Sequence, residues 1–249
     1  MAQTGSHHAD KLAERGAPSY VWRAGQERRL AMIRRWGATQ GTYILVDGAG
    51  LGAYAAHLLA DTPHVFAFDI EHDRAVEAHG HVPNVHVAAS EHKPYPADTF
   101  DLILSHEVLE HVQDDRAAVA EMARVLRPGG RAVIFCPNRW YPFETHGHYW
   151  RGKYHFGNTP LINYLPDALR NRLAPHVRAY RKRDLMRLIE GLPLRVVHHT
   201  RIFGAYDNII ARAPALGRAL RARLQAAERS PLRLLGLSHL FVVEKVAHG

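Results

Sequence analysis

Between residues 43 and 137 the chain alternates short apolar stretches with helical stretches of similar length, and this rhythm constrains the fold more than any other feature. The pattern predicts strands at 43–47, 65–69, 85–88, 101–105 and 131–137. It predicts the intervening helices at 54–60, 73–79 and 114–126. Short buried strands separated by such helices are typical of a parallel sheet covered by helices on both faces, so an α/β fold is expected.

The flanking segments complete the predicted organisation. Residues 1–42 are expected to form an N-terminal helical cap, with an amphipathic helix at 20–36, ahead of one domain at 43–249. An insertion at about 138–180, rich in aromatic residues and histidine, is longer than an ordinary connection and is interpreted as a lid over a binding site. A second insertion lies at about 204–236. The remaining segments predict one helix and two strands, at 182–190, 194–200 and 239–246.

Composition excludes several classes of protein. With Cys136 as the only cysteine, neither an intramolecular disulfide nor a cysteine-rich metal site can form. No apolar run approaches the roughly 20 residues of a membrane-spanning helix, and the polar start lacks the pattern of a secretory signal, so a cytoplasmic location is expected. The net charge of +8 is spread over several segments, which is typical of solvated helix faces. The oligomeric state is left open.

The second insertion contains a basic amphipathic helix with two interpretations. Leucines recur there every four residues beside arginines, as Leu216, Leu220, Leu224, Arg218, Arg221 and Arg223. The helix either packs on its own domain or makes peripheral contact with an anionic membrane surface or a lipid-linked substrate.

A glycine-rich turn follows the first predicted strand. Gly48, Gly50 and Gly52 alternate there, and glycines at a strand-to-helix turn admit a ligand where a side chain would block it. Asp69 ends the next strand, 22 residues after Asp47, close to the spacing of about 20 at which a carboxylate reaches the ribose of a bound cofactor. The pattern predicts a nucleotide-type cofactor site, and Asp69 can also serve as a helix N-cap.

Two cofactor classes share this layout. The nicotinamide fingerprint spaces its glycines as G-x-G-x-x-G, whereas the glycines here alternate directly. The charge of Asp47 would repel a pyrophosphate and attract a cationic sulfonium, which favours S-adenosylmethionine. A nicotinamide-dependent oxidoreductase and a non-catalytic Rossmann-like binding module are the alternatives, although a module without catalysis would tolerate loss of the glycines or of Asp69.

Three stretches resemble the class I S-adenosylmethionine-dependent methyltransferases, especially the group that includes ubiquinone and menaquinone biosynthesis methyltransferases. Residues 47–52 are similar to the first motif of the family, 94–112 to its fourth strand and the helix after it, and 124–130 to the turn before its fifth strand. The resemblance implies a Rossmann-like three-layer sandwich. Its sheet would have seven strands, mostly parallel, with the last strand antiparallel.

The resemblance also implies a set of cofactor-binding residues. These are Asp47, Gly48, Ala49, Gly50, Gly52, Asp69, Ile70, Glu91, Ser105 and His106. Ala89 stands where the family often has an aspartate that holds the adenine amine, and Glu91 is expected to replace it.

The predicted activity is methyl transfer to a small-molecule or lipid-linked acceptor, with oxygen as the expected target. Methyl transfer requires mainly orientation and exclusion of water, and a hydroxyl acceptor is helped by a base. His106, His111, Glu144 and His146 are the candidate bases. The alternative for His111 is structural packing. The aromatic residues near Glu144 either line the acceptor pocket or cap the core.

Metal and nucleic-acid partners are not predicted. His146 and His148, two apart beside one carboxylate, form a weak metal pattern. Neither an added RNA-binding domain nor a basic stripe with stacking aromatics is evident. The identity of the acceptor and the choice among oxygen, nitrogen and carbon are left open.

Overall fold

A computed structural model describes residues 21–247, so the part of the predicted cap before residue 21 lies outside the described residues. Its strands are β1 Ile44–Asp47, β2 Val65–Asp69, β3 Asn84–Val87, β4 Phe100–His106, β5 Leu126–Pro137, β6 Phe143–Glu144, β7 His148–Trp150, β8 Lys153–His155, β9 Thr159–Pro160, β10 Leu194–Ile202 and β11 Ser238–Lys245. Its α-helices are α1 Ala24–Gly37, α2 Ala53–Leu58, α3 His72–His79, α4 Asp115–Val125, α5 Asp167–Leu173, α6 Lys182–Leu188, α7 Asp207–Arg212 and α8 Pro214–Ala227. Short 3₁₀ helices lie at Ile162–Tyr164 and Pro231–Leu235.

The central sheet has seven strands in the order β10-β11-β5-β4-β1-β2-β3. Neighbouring strands from β5 through β4 and β1 to β3 are parallel. The last strand, β11, is antiparallel to both β5 and β10. These pairings confirm the predicted α/β architecture and its antiparallel last strand.

Side chains of successive strand residues face opposite sides of the sheet, and this alternation divides the core into two layers. Leu45 packs in the layer beneath α4 and α6. Ile44 and Val46 pack in the other layer, against Leu30 and Ile33 of α1. Helix α1 is therefore held to the sheet by its apolar face, as the amphipathic pattern predicted.

Both insertions contain regular elements. The segment at 138–180 holds two small sheets, in which β6 pairs with β9 and β7 with β8, followed by α5. The segment at 204–236 folds as α7, α8 and a 3₁₀ helix. Among residues 21–247, no helix combines the length and apolar character needed to cross a membrane.

A pair of histidines at the sheet edge makes the stability of the fold depend on pH. His239 lies 2.8 Å from the carbonyl of Tyr180 through Nε2 and 2.9 Å from Nε2 of His199 through Nδ1. Burial lowers the pKa of His239 to about 3, although its bond to the Tyr180 carbonyl acts in the opposite direction. Burial, followed by the charge of Arg201, lowers the pKa of His199 to about 4.

The expected result is a loss of stability on acidification. Because both folded pKa values lie below the unfolded value near 6.5, the unfolded chain binds more protons between pH 6.5 and 4. The free energy of unfolding should fall in that window by up to about 1.4 kcal/mol per pH unit for each histidine. Urea denaturation at pH 7.5 and 5.5 measures this change. The His199→Gln variant should show a shallower dependence, and an unchanged slope would contradict the assignment.

Candidate cofactor and acceptor site

A large cavity of about 1490 Å³ opens at the carboxyl ends of β1, β2 and β4 and continues beneath α1, α7 and α8. In open α/β sheets, ligands bind at this edge because the loops that follow the strands converge there. Several residues predicted to bind a cofactor line it, namely Gly48, Ala49, Gly50, Asp69, Ile70, Glu91 and His106. The candidate base His111 lines the same cavity.

The glycine turn presents bare backbone to this cavity. Gly48 and Gly50 have φ values of 73° and 53°, a left-handed conformation that glycine adopts without steric cost. A Cβ at Gly48 would collide with the side chain of Val108, whereas a Cβ at Gly50 would meet nothing within 4 Å. Since Gly50 lines the cavity, a side chain there would occupy space next to the turn. The turn is therefore shaped for close approach of a ligand.

Asp69 fastens this turn from the end of β2. Its Oδ2 accepts a hydrogen bond of 2.8 Å from the Gly50 N–H, and its Oδ1 accepts one of 2.9 Å from the Glu71 N–H. The N-cap of α3 is Glu71, so the predicted capping role falls two residues after Asp69. A carboxylate offers about four acceptor positions, so a ribose diol can join these bonds.

Ile70 and Glu91 are the residues between β2 and β4 that were also predicted to bind the cofactor. Ile70 is half exposed at the cavity wall. Oε1 of Glu91 accepts hydrogen bonds of 2.8 and 3.2 Å from the backbone N–H groups of Gln113 and Asp114. Ala89, at the position of the missing aspartate, also lines the cavity. This end of the cavity therefore includes the apolar side chain of Ile70, the tethered carboxylate of Glu91 and the small side chain of Ala89.

Asp47 does not line the cavity, contrary to the expectation that its charge faces the cofactor. It is fully buried on the side of the sheet occupied by Leu45. Its Oδ1 accepts a 2.5 Å hydrogen bond from Ser90, and its Oδ2 lies 3.2 Å from Nζ of Lys93. Because Lys93 balances this charge inside the protein, the electrostatic preference for a sulfonium over a pyrophosphate loses its basis.

Ser105 and His106 take different positions at the end of β4. Ser105 is fully buried and does not line the cavity. His106 lines it, and its Nε2 lies 2.9 Å from Nη1 of Arg29. A guanidinium can only donate, so Nε2 is the acceptor. Burial, followed by the charge of Arg29, lowers the pKa of His106 to about 3. The geometry therefore disfavours His106 as a base.

Residues 107–114 form an irregular turn, whereas the resemblance over residues 94–112 implied that a helix follows the fourth strand there. The turn starts at Glu107, where φ is 55°. Oε1 of Glu107 accepts a 3.0 Å hydrogen bond from Ser238 and lies 3.5 Å from Arg29. Burial acts to raise the pKa of Glu107, but the charge of Arg29 brings it to about 2. The helix begins only at Asp115.

Three of the candidate bases come together beside this turn. The rings of His111 and His146 lie 5.4 Å apart between centroids. Glu144 accepts a 2.8 Å bond from Arg170, with both side chains 3% exposed, and its other oxygen lies 3.2 Å from Nδ1 of His146. Burial acts to raise the pKa of Glu144, but the bond to His146 and the charge of Arg170 bring it to about 2. Glu144 is therefore a positioning group rather than a base.

His111 is the other candidate base that lines the cavity. Burial, followed by the charge of His146, lowers its pKa to about 4, so the imidazole is neutral near pH 7. Its Nδ1 is buried and makes no hydrogen bond with the described residues.

The part of the cavity away from the glycine turn is apolar. It is walled by Tyr141, Phe143, Phe203, Tyr206, Ile209, Leu220, Leu224, Leu232, Leu235 and Leu237. Two leucines of α8 face the cavity, while Leu216 on the same helix is 68% exposed. Arg28 holds the end of α8 through a 2.5 Å ion pair with Glu228. The side of the predicted basic helix that carries Leu220 and Leu224 thus faces its own domain, whereas the side that carries Leu216 is left exposed.

Sequence reasoning missed Arg29, Lys93 and Glu110. Arg29 is 77 residues from its partner His106, and Lys93 meets Asp47 only through the fold, so nothing local signals either contact. Glu110 could have been found from sequence, because residues 106–111 contain two glutamates between two histidines, a concentration of polar ligand groups.

Comparison with known proteins agrees with this geometry. Residues 45–134 match a family model described as a methyltransferase domain. A demethylmenaquinone methyltransferase from Beutenbergia cavernae is 29% identical over 154 residues, covering 57% of this chain and 64% of the relative. A ubiquinone biosynthesis O-methyltransferase from Aromatoleum aromaticum is 31% identical over 118 residues, covering 45% and 50%. The matches thus span less than two thirds of these relatives.

A solved structure extends the likeness to almost the whole fold. An S-adenosylmethionine-dependent methyltransferase from Mesorhizobium loti superposes with a TM-score of 0.60. The superposition covers 89% of this chain and 98% of the other, at 15% sequence identity. At that identity the likeness concerns the fold, including the segments outside residues 45–134.

Proposed function

We propose that this chain, which belongs to the class I S-adenosylmethionine-dependent methyltransferases, transfers a methyl group to a hydroxyl of a small, largely apolar acceptor. The observation that carries the proposal is one continuous cavity. It joins the bare turn at Gly48 and Gly50, fastened by Asp69, to an apolar wall that includes Leu220 and Leu224. The first part suits an adenosyl cofactor, and the second suits an apolar partner.

The residues present fit the cofactor. Gly50 leaves room where a Cβ would project, and Asp69 offers acceptors for the two ribose hydroxyls. Ile70 supplies an apolar surface for the adenine ring beside it. When bound, S-adenosylmethionine supplies a methyl group on a sulfonium. The acceptor attacks the methyl carbon in line with the S–CH₃ bond, and the sulfur departs as a neutral thioether. The protein then has to orient both partners and exclude water, and the wall beneath α8 serves both purposes.

The named activities of the relatives support a quinone-type acceptor. One relative acts on demethylmenaquinone by its name and another in ubiquinone biosynthesis, where it is named an O-methyltransferase. A ring that carries an apolar chain matches the wall formed by Phe203, Leu220 and Leu224. Oxygen is proposed as the methylated atom because the neutral imidazole of His111 lies at the cavity wall. A lipid-linked acceptor, peripheral membrane contact through Leu216 and a cytoplasmic location are parts of the same proposal.

Thermal unfolding in the presence of S-adenosylmethionine, S-adenosylhomocysteine or NAD tests the cofactor. A ligand that binds only the native state at a hundredfold excess over Kd stabilises it by about 2.7 kcal/mol, which should raise Tm by roughly 5–10 °C. Both adenosyl compounds should raise Tm, and NAD should not. A rise with NAD alone would contradict the proposal, and no rise with any of them would favour the non-catalytic alternative.

Transfer of labelled methyl from S-adenosylmethionine tests the acceptor. A hydroquinone with an apolar side chain should become a methyl ether, while its doubly O-methylated counterpart should accept no label. Label recovered on ring carbon would overturn the choice of oxygen and leave the methyltransferase assignment intact.

A further inference from the structure

Glu110 is a buried carboxylate that the described protein leaves without a hydrogen-bond partner. Its residue is 1% exposed, and neither Oε1 nor Oε2 accepts a hydrogen bond from residues 21–247. Burial, followed by the charge of the neighbouring Glu107, holds the pKa of Glu110 well above its usual range, and Glu107 itself pairs with Arg29 and Ser238. Buried carboxylates are ordinarily satisfied by hydrogen bonds or by a cation, so Glu110 calls for a partner.

Two imidazoles face the same point. Nε2 of His146 lies 4.0 Å from Oε1 of Glu110, which is too far for a hydrogen bond. One ligand atom from each of Glu110, His111 and His146 lies within 4.8 Å of the other two. Nitrogen and oxygen ligands lie about 2.0–2.2 Å from a zinc ion, so two ligands of one ion are separated by roughly 3–4 Å. Small inward movements of these side chains would bring all three to that spacing.

The surroundings hold His146 in the orientation that a metal ligand needs. Its Nδ1 lies 3.2 Å from Oε1 of Glu144, whose Oε2 is held at 2.8 Å by Arg170. Its backbone carbonyl accepts hydrogen bonds of 2.5 Å from Tyr154 and 3.2 Å from Nε2 of His176. A carboxylate on Nδ1 leaves Nε2 with its lone pair toward Glu110, as in the carboxylate–histidine–metal arrangement. These hydrogen bonds therefore fix the ring of His146 in an orientation suited to metal binding.

We infer that Glu110, His111 and His146 bind a divalent first-row transition-metal ion beside the cavity, where His111 forms part of its wall. Two imidazoles and one carboxylate suit Zn²⁺ or Fe²⁺ far better than Mg²⁺, and three protein ligands leave a position open. The inference replaces the expectation that no metal binds. His148, the partner considered from sequence, instead stacks on His155 at 5.3 Å and bonds to Thr159.

The inference rests on the proposed function and defines the role of His111 within it. A dication held by these three residues would lower the pKa of an acceptor hydroxyl placed beside it, and the hydroxyl proton would leave to solvent at neutral pH. The oxygen lone pair then forms the new C–O bond while the S–CH₃ bond breaks and its electron pair stays on sulfur. The products are a methyl ether and S-adenosylhomocysteine. His111 acts as a ligand in this scheme and does not itself take the proton.

Calorimetric titration with Zn²⁺ tests the site on protein treated with a chelator and then dialysed. Wild type should bind one ion with a Kd below about 10 µM, and a parallel titration with Mg²⁺ should show no binding at that level. The variants Glu110→Gln and His146→Gln should each weaken Zn²⁺ binding at least 100-fold. Glu110→Gln preserves the side-chain shape and puts no charge in this buried position, so this variant should fold and be as stable as metal-free wild type.

A matched control and a second ligand separate the two proposals. His81→Gln removes an exposed histidine that does not line the cavity and should leave Zn²⁺ binding unchanged. S-adenosylhomocysteine should bind Glu110→Gln as it binds wild type. Failure of wild type to bind Zn²⁺, or wild-type affinity in both variants, would overturn the metal site. Failure of wild type to bind S-adenosylhomocysteine would instead refute the proposed function.

Discussion

Replacement of Asp69 by alanine is expected to weaken the binding of S-adenosylhomocysteine roughly 100-fold while the domain stays folded. The carboxylate is proposed to accept two hydrogen bonds from the ribose, and bonds to a charged group contribute about 1.5 kcal/mol each. A loss of about 2.8 kcal/mol corresponds to a hundredfold change in Kd. The substitution also removes the acceptor that fastens the Gly50 N–H, which acts in the same direction. Isothermal titration calorimetry measures the change.

Two variants identify the cause of that loss. Asp69→Asn keeps an oxygen that can accept from Gly50 but has no charge, so it should fall between wild type and alanine. Asp73→Ala removes a carboxylate that is 96% exposed on α3 and should bind like wild type. An affinity of Asp69→Ala within threefold of wild type would remove Asp69 from the binding site.

The parts of the fold that follow from local pattern were predicted closely. Strand β2 begins and ends where its apolar run does, at Val65 and Asp69. Strand β5 begins five residues earlier than predicted, at Leu126, which pairs with Phe100. The register between β4 and β5 shifts after this pair, across Pro128 and two glycines of β5. Apolar periodicity does not predict such a shift. Residues distant in the chain determine the boundary there.

The candidate site likewise contains residues that local sequence pattern could place and residues that it could not. Gly48, Gly50 and Asp69 could be placed from sequence because a turn that follows one strand and a carboxylate that ends the next are local features joined by a known topology. The path of residues 107–114 could not, because Glu107 adopts its left-handed conformation while bound to Ser238 on the far strand β11. Glu110 and His146 are brought together by that turn and by the insertion, so their proximity is a tertiary property.

Asp47, which directly precedes the glycine turn, forms a buried pair with Lys93, and breaking this pair should have the largest effect on stability. Both side chains are 0% exposed, with Oδ2 and Nζ 3.2 Å apart, and Nζ also donates to the carbonyl of Ser90 at 2.6 Å. Lys93→Met removes the cation and leaves the carboxylate buried. Loss of one partner of a buried pair costs about 3–5 kcal/mol, and urea denaturation should show a decrease of this size in the free energy of unfolding.

Removing the charge of both partners should restore much of that stability. In the double variant Asp47→Asn/Lys93→Met, the amide keeps a hydrogen bond with Ser90 and no net charge stays buried. Lys153→Met, on an exposed lysine, should leave stability nearly unchanged and controls for the substitution itself. Equal stability of the single and double variants would show that the cost arises from lost packing and not from the uncompensated charge of Asp47.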